Sequence, residues 1–557
     1  MEQTQRKIRL AFVAALCLVL GTASVQAQER NDIAELQQPR LVVGLVVDQM
    51  RWDYLTRFAD RFGDGGFRRI MRDGYNCNRT FINYLPAVTA VGHSSVWTGT
   101  VPAFTGIVGN HIYKDGRRTY CTTDTTVLGV GSLDKNGRPD PRAYGAQESP
   151  RNLKCTTIGD ELRLATNFRS KVVGVALKDR ASILPAGHAA NAAYWMDDLS
   201  TNFITSTYYM QDLPQWVKDF NAQRLGDKYM KNLKKGHWDL LYDEKTYVQS
   251  APRGQRWEDS LNGSLKQSPW GMTITFDMAR AAVEGENLGH NPNGVPDMLC
   301  VSISSTDMIG HQLSPNSIWM EDLYLRLDRD LEAFFNYLDE RIGRGQWLFF
   351  ITADHAGFHN TEFMREHHLP ADNWYSSTLA DDINDHVCKT LSLSEKPVER
   401  VRSMQIHFTQ QAQQSPRYDE IVKATCDYLE SLPQVAYAFP ADCVPDRVPE
   451  PVRTMCINGF CPGRSGQVQI VFEPGVMDDY ASAKEIAEPG HIRKGTTHSV
   501  WSPDDTHIPL AFLGWKVPHG WDNRRHHIVD IAATVAALLN IQEPNCCVGE
   551  AIDFTSK

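Results

Sequence analysis

Five apolar runs stand out along the chain, each continuous rather than alternating: Leu41–Val47, Val172–Leu177, Met298–Ser302, Trp347–Thr352 and Ile508–Leu513. A strand apolar on both faces is buried on both, as in parallel sheets. Between these runs the period changes. Met320, Leu323, Leu327, Leu331, Phe334, Leu338 and Ile342 recur at helical spacing, which predicts a helix from Ile318 to Ile342 closed by Gly343. A second helix is expected from Ile528 to about Leu539. The alternation of strand and helix predicts an α/β fold, with a mostly parallel central sheet covered by helices on both faces.

Two regions break the rhythm. Residues 186–295 are rich in Asn, Asp, Tyr, Trp and Gly, and residues 395–467 in Pro and Cys. Both read as capping insertions in a single catalytic domain, 28–557. The first residues have a different logic. Arg6, Lys7 and Arg9 precede the apolar run Leu10–Leu20, and small residues follow as far as Ala27. This predicts a secretory signal over 1–27. The run falls short of the ~20 residues that span a bilayer. An exported product is expected, periplasmic or secreted, with no membrane span.

Composition narrows the function classes. The chain has 557 residues, 42% hydrophobic and 22% charged, which excludes disorder, collagen and coiled coil. Its net charge of −10 argues against nucleic acid as a specific partner. An anionic substrate is still possible, because a metal ion can dominate the local field. Of the twelve cysteines, some are expected to pair in an exported protein. Cys443, Cys456 and Cys461, and the adjacent Cys546-Cys547, look like loop staples.

Acidic residues and histidines recur where the apolar runs end. Leu41–Val47 ends in Asp48, Met298–Ser302 leads to Asp307-Met308-Ile309-Gly310-His311, and Trp347–Thr352 leads to Asp354-His355. Ligands of open α/β sheets sit beyond the carboxyl ends of the strands. A further His498 follows Gly495-Thr496-Thr497. Three carboxylates and three imidazoles, with no thiolate, suit two catalytic zinc ions. Each fragment alone has a plainer reading, such as a helix cap for Asp48 or a solvated turn for Asp354-His355. Thr89 lies where a short helix should begin, so its hydroxyl is either a simple N-cap or a nucleophile at the positive dipole end.

The ordered set Asp48, Thr89, Asp307-x-x-x-His311, Asp354-His355 and Gly-Thr-x-His498 resembles the alkaline phosphatase superfamily. It is most similar to the phosphate-irrepressible bacterial enzymes that use Thr in place of Ser. The resemblance implies one zinc on Asp307, His311 and His498, and another on Asp48, Asp354, His355 and Thr89 Oγ. It implies Thr89 as nucleophile, with a covalent phosphothreonine. It also implies Asn110, Lys178 and Arg180 as phosphoryl contacts. Ser499 stands where relatives are expected to carry Gly. His491 and His507 are nearby competitors for the role of His498.

Small-molecule phosphate monoesters are the expected substrates of a monomeric enzyme. Cations at the terminal oxygens favour a dianion, although Lys178 and Arg180 could also be surface charges. The alternatives are a phosphodiesterase or nucleotide pyrophosphatase on the same scaffold, or a catalytically dead metal-dependent binding protein. Cys443-Val444-Pro445-Asp446-Arg447 fits the sulfatase Cys-x-Pro-x-Arg pattern, but it lies in the Pro- and Cys-rich insertion, and Cys443 is expected to be structural.

Overall fold

The computed structural model describes residues 37–233, 238–249, 264–488, 491 and 495–555, so the expected signal 1–27 lies outside the described residues. Among them ten strands form one sheet: β1 Leu41–Val47, β2 Tyr75–Cys77, β3 Gly129–Val130, β4 Val172–Ala176, β5 Ala192–Met196, β6 Phe203–Ser206, β7 Asp297–Ile303, β8 Trp347–Thr352, β9 Leu510–Gly514 and β10 Gly520–Asp522. Their order is β10-β2-β9-β8-β1-β7-β4-β5-β6-β3. The central run β8-β1-β7-β4-β5 is parallel. Every residue of these five strands is buried. Each large apolar side chain so buried contributes about 1.5–3 kcal/mol.

The predicted strands fall where the apolar runs lie, with one difference in direction. Pro509 splits the last run, and β9 pairs antiparallel with β8. Its residues Leu510, Ala511, Phe512 and Leu513 are buried, so its pattern matches that of a parallel strand. Direction depends on how the chain returns to the sheet, which composition does not encode. The long helix runs Ile318–Leu338, capped by the Ser317 hydroxyl accepting from Met320 N–H, and one wider turn carries it to Gly343. The last helix spans Asp530–Leu539.

Within residues 186–295, β5 and β6 extend the central sheet, and the Pro269–Glu286 helix packs on β7 and on the Ile318–Leu338 helix. Residues 395–467 fall largely within a separate antiparallel sheet, ordered Val398–Arg402, Gln405–Phe408, Val468–Phe472, Val435–Pro440. The helices Ser376–Leu391 and Tyr418–Glu430 back it over a core that includes Ile383, Ile406, Val468 and Ile470. Cys443, Cys456, Cys461, Cys546 and Cys547 stand as free thiols, and Cys443 is exposed. No helix among the described residues is long and apolar enough to cross a membrane.

Register positions the chemistry. Val46 pairs with Ser302 of β7 and with Thr352 of β8, and Ser302 pairs with Ala176 of β4. Four parallel strands therefore end level. The residues just beyond them, including Asp48, Lys178, Asp307 and Asp354, emerge on one rim.

Candidate metal and phosphoryl site

Asp307 lies in a short helix, Ser305–Gly310, that follows β7, and His311 is its cap. The four-residue step puts His311 Nε2 3.2 Å from Asp307 Oδ1. His498 Nε2 approaches the same oxygen at 3.7 Å. Next to this trio stand His355, with Nε2 3.3 Å from Asp48 Oδ1, and Asp354, with Oδ2 3.5 Å from His355 Nε2. Donor atoms of Asp307, His311 and His498 lie within 4.8 Å of one another, as do those of Asp48, Asp307 and His355. Asp307 thus belongs to both groups, whereas the resemblance implies it in one only.

All three imidazoles are oriented from behind. Nδ1 of His311 faces Thr496 O at 3.0 Å, that of His355 faces Ala356 O at 2.9 Å, and that of His498 faces Ala87 O at 2.7 Å. A carbonyl only accepts, so each Nδ1 donates its proton outward and each Nε2 faces inward. Asp48 Oδ1, Asp354 Oδ2 and His355 Nε2 are buried without a hydrogen bond. Buried polar atoms without partners are expensive, and a divalent ion would satisfy all three. Oxygen and imidazole donors of this kind fit zinc.

The electrostatics agree. Burial, then the charges of Asp307 and Asp354, push the Asp48 carboxyl up. Burial opposes a charged His355, yet Asp354 and Asp48 raise it to about 9. Burial, then the charge of His355, keeps His498 well below its ordinary value. Lys178 Nζ lies between the groups, donating to Asp48 Oδ2 at 2.5 Å and to Asp307 Oδ2 at 2.6 Å. Sequence reasoning expects Lys178 at the phosphoryl group; here its ammonium pairs with the carboxylates of Asp48 and Asp307.

Thr89 is the first residue of the Thr89–Thr98 helix and is 1% exposed. The segment around it is pinned from several directions. Ala87 O takes the His498 proton, and Ala90 N–H donates to Asn110 Oδ1 at 3.0 Å. One turn on, His93 Nδ1 faces Thr89 O at 2.9 Å and sits 3.2 Å from Asp354 Oδ2. Gly92 lies against Asp354, where an added Cβ would come within 2.1 Å of the carbonyl oxygen. Gly92→Ala is therefore expected to cost about 1–3 kcal/mol of stability and to displace the helix from the rim. Thermal melts and kcat on an aryl phosphate would both fall; a variant that melts and turns over like the wild type would refute this reading of the contact.

Arg180 Nη1 donates to Tyr120 Oη at 2.9 Å, and Tyr120 in turn donates to Asp179 Oδ1 at 2.6 Å. Arg180 Nε is buried and has no partner. Lys178, Arg180, Tyr120, His111, Glu148 and Trp195 line a cavity of about 540 Å³.

Two contributors escaped the sequence reading. Gln49, 5% exposed, holds a left-handed φ of 64°. Its backbone N–H donates to Asp354 Oδ1 at 3.2 Å, and its side-chain amide donates to Asp307 Oδ1 at 2.8 Å. An added Cβ on Gly310 would lie 1.9 Å from Gln49 Oε1, so that glycine makes room for the amide. His93 is the other. Its only sequence signal is the four-residue step from Thr89. Ser499 adopts a φ of 107°, a region that favours glycine, which accounts for the Gly expected there. The competing histidines turn elsewhere: His491 faces Asp479 at 3.1 Å, and His507 stacks on Trp52 and Phe81.

Comparisons with known proteins add context to this geometry. A family model described as type I phosphodiesterase / nucleotide pyrophosphatase matches residues 42–499. Alkaline phosphatase PafA of Elizabethkingia meningoseptica is 40% identical over 562 residues, covering 96% of this chain and 97% of the relative. Alkaline phosphatase PhoV of Synechococcus elongatus is 40% identical over 578 residues, covering 98% and 99%. A protein of Myroides odoratus named calcium-transporting ATPase is 40% identical over 565 residues, covering 97% and 98%. The crystal structure of wild-type PafA superposes with a TM-score of 0.84, covering 92% of this chain and 98% of that one. A solved PafA variant is changed at a threonine, at an asparagine 21 positions on, and at a lysine and an arginine two positions apart.

Proposed function

The chain belongs to the type I phosphodiesterase / nucleotide pyrophosphatase family, and on that premise we propose that it is an alkaline phosphatase, a phosphoric monoester hydrolase acting through Thr89 and a pair of zinc ions. One observation carries the reading: three carboxylates and three inward-facing Nε2 atoms share a buried rim with the N-terminus of the helix that begins at Thr89. Near-full-length relatives named alkaline phosphatase support it. So does a spacing: Thr89 and Asn110, and Lys178 and Arg180, repeat the separations of the four positions altered together in the PafA variant.

Phosphate monoesters hydrolyse so slowly that catalysis must supply on the order of 20 kcal/mol or more. Asp307, His311 and His498 would hold one ion, and Asp48, Asp354 and His355 the other, with Asp307 close to both. Bound there, the ions would supply Lewis-acid charge neutralisation at the attacking and leaving oxygens. Thr89 Oγ attacks phosphorus, the ester P–O bond breaks, and the hydroxyl proton passes through solvent to the ester oxygen, which departs as the alcohol. Water then attacks the phosphothreonine from the vacated side, the Oγ–P bond breaks, and phosphate leaves. The helix dipole favours the developing anion at Thr89. Asn110, fixed by Ala90 N–H, offers its amide to a phosphoryl oxygen. Arg180, held by Tyr120, offers its partnerless Nε, and Lys178 follows the phosphoryl charge.

These cations set the preference for a monoester dianion over a diester monoanion. Lys178→Ala and Arg180→Ala are expected to lower kcat/KM on an aryl phosphate by about 10²-fold or more, and on a bis-aryl phosphate by much less. Equal losses on both substrates would favour the diesterase reading. Action on small-molecule monoesters by an exported monomer completes the proposal; export rests on residues 1–27 alone.

A further inference from the structure

Beside the cavity wall formed by His111 and Tyr120 lies a run of positive charge that the proposed chemistry does not use. The Tyr120 ring contacts His111 edge-on at 5.4 Å, across the two strands of the hairpin His111–Lys114 and Arg117–Tyr120. On the same hairpin Tyr113 pairs with Arg118. Tyr113 stacks on His407 of the antiparallel cap sheet, with centroids 4.5 Å apart and planes at 17°. His407 pairs across strands with Arg400, and Arg402 lies two residues along the same strand. The hairpin that carries Tyr120 and His111 at the cavity thus continues to Arg118, and the Tyr113–His407 stack sets the strand of Arg400 and Arg402 beside it.

The three arginines are exposed, and among the described residues none has a carboxylate partner. Glu399, whose charge reaches Arg118, accepts from Tyr113 Oη at 3.1 Å, and Arg402 lies 4.5 Å over the Tyr480 ring with Asp478 in reach of its charge. The cations also feel one another. Partial burial, then Arg400, lowers Arg118. Burial, then Arg118, Arg402, Arg180 and Arg400, holds His111 down at about 4, so it is neutral when the enzyme works. Crowded guanidinium groups that form no ion pair with a carboxylate among the described residues, on a chain of net charge −10, offer a local site for an anion. Two residues of strand separate His111 from Tyr113, about 6–7 Å.

We propose that Arg118, Arg400 and Arg402 form a second anion subsite beside the His111–Tyr120 wall of the cavity, which binds a second phosphate carried by the alcohol portion of the substrate. The preferred substrates are then bisphosphorylated small molecules. This rests on the monoesterase reading above and deepens it.

The test compares fructose 1,6-bisphosphate with fructose 6-phosphate on wild type and on an Arg118→Ala/Arg400→Ala/Arg402→Ala variant. The variant is expected to lose about tenfold in kcat/KM on the bisphosphate and less than about twofold on the monophosphate. The wild-type advantage on the bisphosphate should shrink as salt rises, because exposed charges are screened within about 8 Å at physiological ionic strength. Equal changes on both substrates, or none, would overturn the subsite. Calorimetric binding of fructose 1,6-bisphosphate to Thr89→Ala protein, with and without the three arginine substitutions, separates the two readings. Weaker binding in the arginine variant supports the subsite even if turnover were absent, and unchanged affinity refutes it even if turnover were normal.

Discussion

Thr89→Ala is expected to lower kcat on an aryl phosphate by at least about 10³-fold, while the melting temperature changes little. The side chain is small, and alanine is the best helix former, so the Thr89–Thr98 helix loses no stability through propensity. What disappears is the only protein atom in this design that forms a bond to phosphorus. The ligands of both proposed ions remain, so slow attack by water is the residual route, and it lacks a nucleophile fixed by the backbone. Thr89→Ser keeps the hydroxyl on the same first helical turn and should restore most of the rate. Mass spectrometry of acid-quenched wild type should find phosphate on Thr89. An alanine variant retaining a tenth or more of the activity would end the covalent mechanism.

Removal of divalent ions is expected to abolish turnover, and zinc to restore it. The reason lies in charge. Asp48, Asp307 and Asp354 crowd one buried rim, and Lys178 answers only two of them. The affinity should also depend on pH with a definite sign. A metal needs neutral imidazole and ionised carboxylate. Burial works against a charged His355, but Asp354 and Asp48 raise it to about 9, so below that pH a proton competes for Nε2. Zinc affinity therefore rises with pH up to about 9 and loses this dependence above it. Calorimetry at pH 7 and pH 10 in buffers of different ionisation enthalpy would read the proton released at the lower value only. Activity that survives exhaustive chelation would remove the metal from the mechanism.

Much of the site was legible because its residues sit next to local signals. Asp48, Asp307 and Asp354 follow apolar runs, and a run buried on both faces announces a parallel strand and its carboxyl end. His311 lies one helical turn from Asp307, and His355 directly follows Asp354. Gln49 and His93 carried no comparable mark. Gln49 matters because its backbone turns left-handed, which lets one residue reach both Asp354 and Asp307. His93 matters because Gly92 lets its helix press on Asp354. The arginine subsite was invisible for a different reason. Arg118 and Arg400 are distant in sequence, and the stacking of Tyr113 on His407, with the Tyr113–Glu399 hydrogen bond, brings their strands together.

By itself the sequence determined which segments become strands, where those strands end, and which donors wait there. Periodicity and burial act over a few residues, so they are written locally. Tertiary structure alone decided that four of those ends lie level, that β9 runs backwards, that Lys178 bridges two carboxylates, and that a hairpin and a cap sheet pool their cations. Register, direction and charge juxtaposition come from packing between segments hundreds of residues apart, and no local pattern records them.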